Sequence, residues 1–220
     1  MSKKIALSIM CCCAMFPCFA SQADPAVDLN NLMSQLATLE VDFQQQIRSQ
    51  DSNELLDENS GSLIVKRPGY FYVHTKEPYE EIITSDGKVI WTYDVDLSQA
   101  TQEQVDDRLQ QTPFLLLSGN VEAIRENFTV SQSGHETGNG APRFSLSPKD
   151  SNASYNDVEL QFNDKGVLTA MAWNNSLSEH YTIQFDNIEV NRAIADKQFE
   201  FTPPAGVDVE IKDAATATQP

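Results

Sequence analysis

The chain has 220 residues, with 32 acidic against 15 basic side chains and a formal net charge of -17. That balance excludes the usual electrostatic routes to nucleic acid and to anionic membrane surfaces, both of which need clustered Lys and Arg. It suits a protein that stays free and unaggregated in water, and simple solubility is sufficient to explain it.

The N-terminus carries a targeting pattern. Lys3 and Lys4 precede an apolar stretch over residues 5–20, with Cys18-Phe19-Ala20 or Ser21-Gln22-Ala23 as small-residue cleavage sites. Residues 1–23 therefore read as a secretory signal cleaved near Ala20 or Ala23, with an apolar region too short and wrongly flanked for a membrane span. No later apolar run approaches ~18 residues, so the exported protein is expected to be soluble. Cys11, Cys12, Cys13 and Cys18 all lie inside the signal, and the mature chain keeps no cysteine for disulfides, thiolate metal sites or nucleophilic catalysis. Met15-Phe16-Pro17 before Cys18 does not match the small-residue pattern expected ahead of a lipid-modified cysteine.

Val27, Leu29, Leu32, Met33 and Leu36 recur at helical spacing over 25–38, with Asp24 placed to cap the helix. Leu39, Val41, Phe43, Gln45 and Ile47 then alternate as a half-buried strand, and 50–60 reads as a polar, acidic loop. Strands follow at 61–67, 70–76, 79–85 and 89–93, separated by Arg67-Pro68-Gly69, Glu77-Pro78 and Ser85-Asp86-Gly87-Lys88, an antiparallel meander rich in aromatics. Residues 102–111 are charged and read as helix or loop. Thr112-Pro113 then opens a short greasy helix, Phe114-Leu115-Leu116-Leu117, stopped by Gly119. Four large apolar residues in a row either bury outright or cover an apolar space.

Strands resume at 128–133, 143–147, 158–162, 167–173 and 181–185, with Asn163-Asp164-Lys165-Gly166 as a turn between two of them. Phe199 and Phe201 alternate before Pro203-Pro204, and 213–220 is a low-complexity tail expected to be disordered. With no repeat and no linker, residues 24–212 read as one mainly β (α+β) domain. The expected fold is an incomplete, strongly curved antiparallel β-barrel of about eleven strands, closed by short helices.

Catalytic patterns are sparse. There is no nucleophile elbow, no glycine-rich phosphate loop and no pair of histidines at ligand spacing; His74, His135 and His180 are scattered. Adjacent acids such as Glu80-Glu81 and Asp106-Asp107 reflect an acidic chain and are poor evidence for a glycosidase pair. No catalytic residue, metal ligand or cofactor is assigned. Arg67 remains: it is either a solvated strand-end cation or a guanidinium facing the apolar interior, whose five donors could bridge the sheet to a lid helix.

The blocks RPGYF, TSDGKVIWTYDVDLSQAT, QTPFLLLSG, FSLSPK and FEFTPPAGVDV, in that order across nearly the whole mature chain, resemble the periplasmic lipoprotein carrier family, LolA. The resemblance implies a half-barrel capped by helices, with an apolar cavity for the acyl chains of outer-membrane lipoproteins. It implies a monomeric periplasmic shuttle that takes triacylated lipoproteins from an inner-membrane ABC transporter and passes them to an outer-membrane receptor. It also implies a lid latch at Arg67, a cargo and transporter contact at Phe71, and a cavity and lid built from Val41, Phe43, Val65, Val73, Trp91, Pro113, Phe114, Leu115, Leu116 and Leu117. The family often places tryptophan where this chain has Val73. A lipid-sensing regulatory protein on the same fold is the alternative, although such a protein would usually carry an additional domain.

Overall fold

A computed structural model describes residues 24–105, 115–118, 123–133, 141–151 and 153–212. The segments read as signal (1–23) and tail (213–220), together with Pro113 and Phe114, lie outside them. Among the described residues twelve strands form a single curved, open sheet: β1 (Thr38–Ser49), β2 (Leu55–Lys66), β3 (Tyr70–Glu77), β4 (Glu81–Asp86), β5 (Val89–Asp94), β6 (Gln99–Gln104), β7 (Phe128–Ser133), β8 (Arg143–Pro148), β9 (Tyr155–Phe162), β10 (Leu168–Asn175), β11 (Glu179–Val190) and β12 (Asp208–Lys212). Their spatial order is β12-β6-β5-β4-β3-β2-β1-β11-β10-β9-β8-β7. Two meanders, β1–β6 and β7–β11, thus join through the β1–β11 pair.

Three expectations need correction. The acidic stretch read as loop supplies the first half of β2, because residues 55–59 pair with β1 rather than because they bury anything. Part of the segment read as helix or loop is β6. The sheet is not wholly antiparallel: β12 runs parallel to β6, with Asp208 opposite Gln99 and Lys212 opposite Glu103.

Helix α1 (Pro25–Ser34) starts as the sequence predicts, with the Asp24 carboxylate accepting from Ala26 N at 3.0 Å and proline in the first turn. It ends earlier than expected, because the chain has to extend into β1 by Thr38. Leu29 and Met33 are fully buried in one core with Phe144, Leu160, Met171 and Ile183, which lie on adjacent strands along a single face. Short helices α2 (Leu115–Ser118) and α3 (Ala123–Asn127) add Leu117 and Ile124 to the same core. Asp24 also pairs with Arg125 of α3 at 2.6 Å, tying the start of α1 to that helix.

The inner face of β1–β6 is built as rungs. One runs Leu39, Val65, Phe71, Ser85, Ile90, Glu103; the next Val41, Leu63, Val73, Ile83, Thr92, Thr101; the third Phe43, Gly61, Thr75, Glu81, Asp94, Gln99. Each rung is most apolar near β1 and turns polar towards β6. The outer face is not left to water. After β11 the chain passes a 3-10 turn (Asp196–Phe199) that packs on β3 and β4, then pairs with β6 as β12. Phe199 packs on Tyr70, and Phe201 on Trp91 and Tyr93, with ring centroids 5.5 Å apart in each case. This strap is anchored by Asn191, whose side chain accepts from Ala37 N and donates to Gln35 O, and by Lys66, which reaches Ile194 O and Asp196.

Candidate functional site: an open apolar cavity beside a buried arginine

The two halves of the sheet are filled differently. Helices α1 and α3 supply apolar side chains to the core of the β7–β11 half, whereas a cavity of about 480 Å³ opens over β1–β6. That volume falls within the ~300–1,000 Å³ range of small-molecule clefts. Its apolar floor comes from Phe43, Phe71, Val73, Ile83 and Ile90, and its mouth is polar, with Gln45, Asn59, Thr75, Glu80, Glu81, Asp94 and Glu103. Among the described residues no three His, Cys, Asp or Glu side chains converge as a metal site would require. The described lining supplies surface for an apolar guest rather than a reactive constellation.

Arg67 directly follows β2 and continues its alternation. Val65 faces in and Lys66 faces out to the strap, so the next side chain returns to the inside. Its backbone is fixed by the bond from Arg67 N to Ala37 O, 3.0 Å. Its Nη2 donates to the carbonyl of Leu116 on α2 at 3.3 Å, at the long end of useful hydrogen bonds. Nε and Nη1 are buried and find no acceptor among the described residues. Burial draws the guanidinium down to about 10, which still leaves it charged at neutral pH. Among the described residues Arg67 is thus a cation held under α2 by one modest bond.

The other expected site residues divide. Phe43, Phe71 and Val73 line the cavity, and each is less than a tenth exposed. Val41 and Val65 share their face but sit in the continuous core below it. Leu117 is buried in that core and Leu116 packs partly buried against it; α2 itself packs on β2. Trp91 requires correction: it pairs with Thr84 on the outer face, where Phe201 covers it, while its neighbours Ile90 and Thr92 are the ones that look into the cavity. Sequence reasoning missed Ile83 and Ile90, along with the acids of the mouth. Period-two alternation from Phe71 and Val73 through the turns would have found both isoleucines.

Comparison with known proteins turns on sequence. Residues 34–202 match the profile of the outer membrane lipoprotein carrier protein family, LolA. The chain belongs to the LolA family. The outer-membrane lipoprotein carrier protein of Pseudomonas putida is 38% identical over 181 residues, covering 82% of this chain and 85% of the relative. That of Coxiella burnetii is 35% identical over 191 residues, covering 86% and 88%. A crystal structure of a LolA superfamily protein from Nitrosomonas europaea overlaps 80% of this chain and 98% of its own, with a TM-score of 0.46 and 13% identity. Among the described residues no helix is long and apolar enough to cross a membrane.

Proposed function

We propose that this LolA-family chain is a periplasmic shuttle. It receives the acyl chains of lipoproteins released from the inner membrane by an ATP-driven transporter and hands them to an outer-membrane receptor. The observation that carries the reading is the apolar-floored cavity left open in one half of the sheet, in a chain related over most of its length to lipoprotein carriers. Its work is binding and release, with no covalent step. Each long acyl chain exposed to water costs on the order of 10 kcal/mol, at ~0.8 kcal/mol per methylene. A carrier must offset that cost and still let go.

Arg67 provides a means of letting go. With α2 closed, the guanidinium gives up water for a long bond to Leu116 O, the one it makes among the described residues, so closure is held only modestly. Acyl chains entering beneath α2 displace that bond, and its recovery favours their departure. Arg67→Leu removes the competing bond and adds apolar surface beside the guest. The variant should retain cargo and pass less of it to the receptor, with an unfolding free energy within ~1 kcal/mol of the parent, since an under-satisfied buried charge is lost with the bond. Wild-type transfer by Arg67→Leu, measured as lipoprotein moved from carrier to receptor, would remove the latch.

The function is tested with spheroplasts of the cognate host. Purified mature protein should release newly made triacylated lipoprotein into the supernatant as a one-to-one complex. No release, with the transporter shown to work on another carrier, would overturn the shuttle.

A further inference from the structure

The cavity mouth contains a charge arrangement that folding alone disfavours. Strand pairing sets Glu81 of β4 directly opposite Asp94 of β5, and both line the cavity. Like charges at opposed positions destabilise a sheet. Of the other two acids, Glu80 turns to His74 Nε2 at 2.8 Å, on the face of β3 opposite the cavity, and Glu103 lies 3.0 Å from Lys212 Nζ. Asp94 accepts from Leu97 N, an uncharged donor, at 2.8 Å. No Lys, Arg or His among the described residues forms an ion pair with Glu81 or Asp94. Burial, and then the nearby Asp94 charge, pushes the Glu81 carboxyl above its ordinary range, as an uncompensated pair should.

We infer that the Glu81–Asp94 pair is a charge filter on the cargo cavity, admitting acyl chains with uncharged head groups and turning away those that end in a carboxylate or phosphate. The inference rests on the cavity being the cargo site proposed above. A chain laid over Phe71, Val73 and Ile83 ends at the mouth, where the pair faces its head group. Partial burial there weakens solvent screening and strengthens repulsion of a second anion. The acylated end of a triacylated lipoprotein carries amide and ester groups and no charge. Fatty acids and anionic phospholipids, which a carrier working beside membranes meets in excess, offer similar chains with a negative head. Apolar contacts alone cannot tell these guests apart; the two carboxylates can.

The test uses the mature protein and displacement of an uncharged fluorescent probe, N-phenyl-1-naphthylamine, by matched competitors. Dodecanamide is compared with dodecanoate at mildly alkaline pH, and dioctanoylglycerol with dioctanoylphosphatidylglycerol. Each anionic competitor should be about tenfold weaker than its neutral partner, the factor that corresponds to one pKa unit of like-charge interaction. In E81Q/D94N the gap should narrow to about twofold. A gap that closes for dodecanoate alone assigns fatty acids as the excluded class, and for phosphatidylglycerol alone, phospholipids. Equal displacement by neutral and anionic competitors in the parent, or a gap that survives in E81Q/D94N for both pairs, overturns the filter and leaves the cavity reading in place. Failure of both neutral competitors to displace the probe overturns the cavity reading, and the filter with it. A urea midpoint for E81Q/D94N at or above that of the parent confirms that the ratio is read on a folded protein.

Discussion

Gly61→Ala should lower the unfolding free energy by about 3 kcal/mol or more, at or beyond the upper end of the ~1–3 kcal/mol usual for overpacking a core. A Cβ at this position would sit 2.1 Å from the backbone oxygen of His74 and 2.9 Å from Cζ of Phe43. The first contact is with main chain, so no rotamer change relieves it. Strand β3 would have to move away from β2, at the point where their register already shifts between Ser60 and Gly61. The second contact explains why the position is empty. Phe43 lines the cavity from β1, and its ring fits because the neighbouring strand has no side chain beneath it. Gly61→Val should leave no cooperative transition at all. Urea unfolding followed by circular dichroism decides the matter, and a midpoint for Gly61→Ala equal to that of the parent would show that β2 and β3 are not so closely apposed.

The second large effect is expected at Phe199, which is 1% exposed although it lies in no strand. Its ring packs on Tyr70, and its carbonyl lies 3.1 Å from the Thr84 hydroxyl, which is also 3.0 Å from Phe71 O. Phe199→Ala removes a fully buried aromatic side chain, a change that costs ~3–5 kcal/mol in well-packed cores. The strap should loosen with it, exposing Trp91 as Phe201 loses its hold. The expected signature is a red-shifted tryptophan emission together with new protease cleavage between residues 195 and 207. An unchanged emission spectrum and urea midpoint would mean that the strap is not held at this point.

These two positions also show what the sequence disclosed and what it concealed. The strands that bury one apolar face, such as β1 around Val41 and Phe43 or β9 around Val158 and Leu160, follow from alternation alone. Strands held mainly by backbone pairing carry no such mark: the first half of β2, polar β6 and the wholly exposed β12 bury almost nothing. Arg67 was legible only as a strand-end cation, solvated or facing inward; carrying the alternation of β2 one residue past Lys66 would have turned it inward. Trp91 was misplaced because β5 is more apolar on its outer face, Trp91 and Tyr93, than on its inner face of Ile90, Thr92 and Asp94. The pattern inverts where a distant segment covers the outside of a sheet. The unpaired alternation of Phe199 and Phe201 was the visible trace of that segment.

The strap crosses the outside of the curved sheet, with one end fixed beside β1 at Asn191 and the other zipped to β6 through β12. Between those anchors Phe199 and Phe201 seat it on β3–β5, so one segment binds the back of the strands from β1 to β6. β6, polar and otherwise the last strand of its meander, is thereby paired on both sides. The edge of the sheet falls instead on β12, which is wholly exposed and carries Asp208, Glu210 and Lys212. Charges along an edge strand make it a poor template for a second chain, so the strap also keeps the cavity half of the sheet from pairing with a neighbour.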